Sequence, residues 1–317
     1  VPLPSKLFRP GTALIAVTLS LTVLVTGCGS GGDAAPSSPD AVGAASDEVT
    51  VPVTAATTEV VDAGAEPRSV VQFRPPQGTR QQARLVTTGT VQQQIDDQPA
   101  QDFSSPELTM PLTALVTQGA SDSTPATTTD LTLGTLTTAD VATNELLSPA
   151  TDSHAGFTMN LSGAITALRL RPDPDAQNKA RSMIEQAFYQ AVYRTVAFPE
   201  QPIGVGAVWT IHQQVMSAVA LNQVTTATLT ARDGDRLTID VRVAQSPQSP
   251  VFELPNGAGT LNVDSYSLQG SGRVVVDLGK PLPVDGSISV EGTQSFSDPS
   301  DAMRLRQTTS ERVEWSA

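Results

Sequence analysis

The sequence predicts an α+β protein made mostly of antiparallel β-sheet, a curved, half-barrel-like meander, with one main amphipathic helix at about 174–196. Three observations carry this expectation. From about residue 69 onward, Thr-, Val- and Leu-rich segments are separated by Gly, Pro, Asp and Ser, the pattern of strands joined by turns. The connections are short, which favours antiparallel neighbours because parallel strands need a long crossover. One segment alone switches to apolar residues at spacings of three and four, the period of a helix with a buried face.

Taken in order, Ala83–Gln94, Glu107–Gln118 and Thr129–Thr138 read as strands, and Gly156–Leu170 as a strand or a tight hairpin pair around Ser162-Gly163. The helix follows. Asp173 suits the N-cap, Pro174 the first helical position and Asp175 the positive end of the helix dipole. Ala180, Met183, Ile184, Ala187, Phe188, Ala191 and Val192 form its apolar stripe, which is expected to pack across the concave side of the sheet. Phe198-Pro199 ends it and leads into a strand containing Trp209. Val224–Ala231 and Arg236–Ala244 flank Asp233-Gly234, a type I′ hairpin signal because both residues tolerate positive φ. Gly259–Leu268, Gly272–Leu278, Ser287–Phe296 and Ala302–Trp315 complete the meander, with turns at Gly270, at Pro281–Gly286 and at Asp298-Pro299.

The N-terminus points to a compartment. Lys6 and Arg9 precede an apolar run, Thr12–Val25, that is shorter than the ~20 residues a spanning helix needs and is followed by small residues and a single cysteine. An export signal over residues 1–27 is therefore expected in preference to a permanent transmembrane helix. Val25-Thr26-Gly27-Cys28 resembles the lipobox of bacterial lipoproteins, with valine where that family usually has leucine. The resemblance implies cleavage between Gly27 and Cys28, acylation of Cys28, and an extracytoplasmic protein held on the cell membrane by lipid. An ordinary secretory signal followed by a chance cysteine is the alternative. A free thiol in an oxidising compartment is a liability, and this one stands where acylation needs it.

Residues 28–68 are expected to be the lipidated cysteine and a disordered tether. They are rich in Gly, Ala, Ser, Pro and acid and contain no aromatic residue. Such a coil holds the body ~35 Å from the membrane on average. A strand within Glu48–Val61, added at a sheet edge, is the alternative. Residues 69–317 are then a single sheet-plus-helix domain.

Composition removes several function classes. The net charge is −13, and cleavage after Gly27 removes Lys6 and Arg9 with no acid, so a basic nucleic-acid surface is not expected. One cysteine and two histidines, His154 and His212, give no disulfide framework and no zinc-ligand spacing. No Gly-x-Ser-x-Gly elbow occurs. Asp173–Asn178 lacks the glycine and closing glutamate of a calcium loop, and Gly204-Val205-Gly206 opens a strand where a phosphate loop opens a helix. No catalytic residue, metal or cofactor is expected.

The segment Phe198-Pro-Glu-Gln-Pro-Ile-Gly-Val-Gly-Ala-Val-Trp209, together with the lipobox and polar tether, resembles a family of actinobacterial lipoproteins. In architecture the chain is distantly similar to envelope lipid carriers of the LolA and LppX/LprG type, whose curved sheet and helix enclose an apolar cavity. That likeness implies a non-enzymatic protein binding a lipid or other hydrophobic ligand, with Met183, Ile184, Phe188, Val192 and Trp209 as candidate lining residues. The same residues equally describe a filled core. A structural lipoprotein docking an envelope protein partner, with no small-molecule ligand, is the second expectation.

Overall fold

The computed structural model describes residues 48–121, 124–215, 220–254 and 259–317. The expected export signal, Gly27, Cys28 and the first part of the expected tether lie outside the described residues.

Strands β1 (Val49–Pro52) and β2 (Thr57–Asp62) come first. Strand β3 (Arg80–Ile95), the short β4 (Gln101–Asp102), β5 (Ser105–Gln118) and β6 (Ala126–Leu133) precede helix α1 (Val141–Leu147). Strands β7 (His154–Asn160) and β8 (Ile165–Arg171) form a hairpin, and helix α2 (Asn178–Val192) follows. The remaining strands are β9 (Val208–Val215), β10 (Leu221–Asp233), β11 (Arg236–Pro247), β12 (Val251–Glu253), β13 (Thr260–Asp277), β14 (Asp285–Ser297) and β15 (Arg304–Ser316).

All fifteen strands belong to one antiparallel sheet, with main-path order β1-β8-β7-β6-β5-β3-β15-β14-β13-β11-β10-β9-β2. The long β3–β15 ladder, from Arg84 opposite Ser316 to Ile95 opposite Leu305, joins the strands before α2 to those after it. Among the described residues no ladder joins β1 to β2, so the sheet they form is open and its hydrogen bonding closes no barrel. Strands β8 and β9 each lie one place in from an edge, at opposite ends of that order, and the chain between them carries α2.

Several expectations are corrected. The tether does not extend to residue 68: β1 covers β8 and β2 covers β9, with Val53 buried beside them. The two pairings satisfy backbone groups that would otherwise be left bare at the two sheet edges. Helix α2 is shorter than 174–196 at both ends. Asp173 does not cap it; its carboxylate accepts from Asp175 N at 2.9 Å in a preceding turn, and Gln177 occupies the N-cap position. At the other end Tyr193 leaves the helix, and Thr195 Oγ1 donates to the Val192 carbonyl at 2.8 Å. A second helix, α1, was not expected from the apolar pattern; Asp140 caps it by accepting from Thr143 N at 3.0 Å.

Gly270 makes no turn, and Gly272 does not begin a separate strand. They lie inside the continuous β13, opposite Val290 and Ile288, and a Cβ on either would meet the β14 backbone, so their role is close strand approach. The β10–β11 hairpin is present but its two-residue loop is Gly234-Asp235, with positive φ at Gly234 and not at Asp235, the pattern of a type II′ turn. Between β7 and β8 the hairpin reading is the right one, turning at Ser162-Gly163, where Gly163 has φ +93° against the Phe73 ring.

The core is continuous and runs through α2 and the inward side chains of nearly every strand. Trp209, Phe198 and Phe296 are among its largest fully buried side chains. Among the described residues no helix is long and apolar enough to cross a membrane.

Candidate functional site

Helix α2 packs on one face of the sheet and separates two cavities. The first is an apolar seam of about 60 Å³. Phe188 and Val192 of α2 line it, with Phe157 and Leu168 on one side and Val274 and Trp315 on the other. The second is a polar chamber of about 210 Å³ between the C-terminal half of α2 and strands β3, β15, β14, β13 and β11.

Of the five residues expected to line an apolar ligand site, the seam brings together only Phe188 and Val192. Ile184 and Trp209 are buried in the core and Met183 packs partly buried against it; none of the three lines either cavity. Trp209 is held by its Nε1, which donates to the Ala197 carbonyl at 2.8 Å, and by the Phe198 ring, 5.6 Å away between centroids. His212 is exposed, its Nε2 3.1 Å from Thr210 Oγ1, and His154 is exposed at the start of β7. Among the described residues no group of three or more His, Cys, Asp or Glu could hold a metal ion.

The chamber arises from a change of residue type along the inward side of the strands. On β15 that side reads Trp315, Val313, Glu311, Thr309, Gln307, Leu305; on β14 it reads Ile288, Val290, Gly292, Gln294, Phe296. Polar residues thus form a layer between two apolar layers. Registration aligns the layer across strands: Gln93 pairs with Gln307, Gln307 with Gln294, and Gln294 with Tyr266. Their side chains connect, Gln307 Nε2 donating to Gln93 Oε1 at 3.0 Å and Gln294 Nε2 to Gln307 Oε1 at 3.2 Å. A second row, Gln213, Gln223 and Gln245, is aligned across β9, β10 and β11.

Arg194 joins the second row to the chamber. Its side chain is 3% exposed; Nη1 donates to Gln223 Oε1 at 2.7 Å and Nη2 to Glu311 Oε2 at 3.1 Å. Gln223 in turn donates to the Tyr193 carbonyl and accepts from Gln245 Nε2, each at 2.8 Å. Burial draws the Arg194 pKa down, and the Glu311 carboxylate beside it works in the opposite direction. Tyr266, also at the chamber wall, has its phenol pKa raised strongly, by burial first and then by Glu311.

Three polar atoms of the wall have no partner: Gln294 Oε1, Gln190 Oε1 and Thr309 Oγ1. Buried polar atoms without partners are uncommon and costly. Three of the four such atoms among the described residues lie on this cavity, the fourth being Thr129 Oγ1 elsewhere, so the wall presents hydrogen-bonding atoms to whatever occupies it.

Glu185 of α2 supplies a pH-dependent check on the helix. Burial raises its carboxyl pKa, with Arg181 opposing. A carboxyl whose folded pKa is raised makes folding less favourable once it ionises, so the penalty is absent below its unfolded pKa and complete above the folded one. Glu185→Gln is therefore expected to stabilise the protein at pH 7 relative to wild type and to lose that advantage as the pH falls toward 4. Urea midpoints of both proteins at the two pH values check this; a constant difference would refute it.

Sequence reasoning missed the chamber's Arg194, Glu311, Gln294, Gln307, Gln190 and Tyr266. A signal existed: in 304–316 the polar Gln307, Thr309 and Glu311 share the parity of Leu305, Val313 and Trp315, and polar residues on a core parity mark a buried polar layer. The fold and site define a class, a single antiparallel sheet with a helix-covered face and a polar chamber. No protein-family model, curated protein or solved structure matches the chain.

Proposed function

We propose that this is a non-enzymatic, membrane-anchored extracytoplasmic lipoprotein that binds a small molecule between α2 and the sheet. The observation that carries it is the polar chamber, whose wall combines a half-buried ion pair, aligned glutamines and three polar atoms without protein partners. Structural cores seldom keep such groups unless a water or a ligand meets them, because each one left unpartnered costs ~1–3 kcal/mol.

The ligand compartment is the concave side of a half-barrel. This curvature is supported by chain connectivity. Thirteen strands in the main path, laid flat at ~4.8 Å each, would put the edges ~58 Å apart. Yet only residues 53–56 lie between β1 at one edge and β2 at the other, a link that spans at most ~18 Å. Neighbouring residues Phe73 and Arg74 support it too, donating to the Leu161 carbonyl after β7 and to the Leu278 carbonyl after β13.

A hydrophobic ligand is the weaker version of this reading. The seam exceeds the ~10–15 Å³ that admits a water, but apolar walls leave such a space dry, and at about 60 Å³ it has less than a third of the chamber's volume. An acyl chain has no room there.

Anchoring and binding are tested separately. Cys28→Ala is expected to abolish incorporation of labelled palmitate and to move the protein from the membrane to the soluble fraction. Continued labelling would overturn the anchor. Native mass spectrometry of the full chain released from detergent is expected to show a bound small molecule; a bare mass, with nothing taken up from an envelope extract, would favour a partner-docking lipoprotein instead.

A further inference from the structure

We infer that the chamber beside α2 binds a neutral, hydroxyl-rich small molecule, a sugar ring or similar polyol. The inference rests on the binding reading above and specifies its ligand class.

Charge comes first. Among the described residues of the chamber wall, Arg194 and Glu311 are the only lysine, arginine, aspartate or glutamate side chains, and they are already paired at 3.1 Å. An ion brought into this space would lose its hydration and find no unspent opposite charge. A neutral ligand meets no such cost.

Hydrogen-bond demand comes second. Gln294 is 7% exposed and its Oε1 has no partner, although its Nε2 is fixed on Gln307. The other end of the amide faces the chamber, so the wall offers a hydrogen-bonding group there whichever way the amide ladder runs. Gln190 Oε1 and Thr309 Oγ1 add two more sites on the same wall. A ligand that satisfies them must bring several groups able to donate or accept hydrogen bonds in a small volume, as adjacent hydroxyls do. An acyl chain donates none.

Shape comes third. Phe103, Tyr189 and Tyr266 share the wall with the amides. A polyol ring has C–H faces as well as a rim of hydroxyls, and the wall offers aromatic surface for the first and amides for the second. Gly89 lies in the inward row of β3, opposite Glu311, where a Cβ would reach toward Gln190 of α2, and its missing side chain leaves that space open. At about 210 Å³ the chamber holds one ring and excludes a long chain.

The test uses the full chain in a detergent without a sugar headgroup. Glucose, galactose, mannose, arabinose and myo-inositol are offered singly at millimolar concentration, with glucuronate and glucosamine as charged counterparts, and binding is read by saturation-transfer NMR and titration. At least one neutral compound is expected to bind, more tightly than the charged ones. Its methyl glycoside separates two sources: retained binding indicates the end of a glycan, and loss indicates a free sugar. Gln294→Met is expected to weaken binding at least tenfold, while Phe188→Leu in the apolar seam leaves it unchanged. Should Gln294→Met fail to fold by circular dichroism, Thr309→Val, which keeps the side-chain shape and removes the free hydroxyl, takes its place with the same expected direction. No binding by any neutral compound, tighter binding of glucuronate or glucosamine, or full affinity in the folded chamber variant would overturn the polyol assignment. A different molecule found on the full chain by native mass spectrometry would leave the binding reading standing while removing this one.

Discussion

Trp209→Ala is expected to lower the unfolding free energy by about 3–5 kcal/mol, the range for emptying a fully buried large aromatic site. The indole is 0% exposed, packs on Phe198 and bonds the Ala197 carbonyl through Nε1. The cavity it leaves is lined by groups fixed to the sheet and to the 198–207 connection, which limits relaxation. Trp209→Phe keeps much of the volume but strands the Ala197 carbonyl, and about 1–3 kcal/mol is expected. Urea unfolding followed by circular dichroism measures both. A residue lining a ligand site would behave otherwise, with a small stability loss and a large binding loss, so a cost below ~1 kcal/mol for Trp209→Ala would restore the ligand-lining assignment.

Glu311→Ala is expected to cost about 2–3 kcal/mol. Removing one partner of a buried ion pair usually costs ~3–5 kcal/mol, and the lower figure reflects the 37% exposure of the Glu311 side chain, which lets water reach Arg194. The charge left behind is the reason: Arg194 keeps Gln223 and the Tyr193 carbonyl but loses its only carboxylate. Arg194→Met with Glu311→Leu is expected to recover most of the loss, because an apolar pair of similar volume needs no compensation. The double-mutant cycle from urea midpoints gives the coupling directly. Additive single and double effects would mean that the two side chains do not act as a pair.

Much of the strand pattern was legible because a half-buried strand alternates with period two whatever its neighbours do. The segments 83–94, 107–118, 236–244 and 287–296 all lie within observed strands. The misreadings share a cause. Gly270 carries a turn signal, but β11 and β14 bond β13 from both sides and hold it extended. Asp173 and Pro174 carry a helix-start signal, but the helix begins only at Asn178, after a separate turn. The polar segment 49–62 resembles a tether until two bare sheet edges offer it backbone partners.

The site was far less legible. Phe188 and Val192 were singled out for an apolar ligand, and the fold assigns most of that stripe to a core. Gln93, Gln294 and Gln307 are separated by up to 214 positions along the chain, and the register of β3, β15 and β14 makes them neighbours.

The sequence by itself determined strand content, the antiparallel class, an amphipathic helix between two groups of strands and an acidic chain. These depend on local periodicity and composition, which act over a few residues. Only the tertiary structure decided which strands lie side by side, which edges residues 49–62 cover, and which polar side chains meet in a buried chamber. Those outcomes depend on register between segments far apart in the chain, and a one-residue slip in any ladder would turn the glutamine layer to the opposite face.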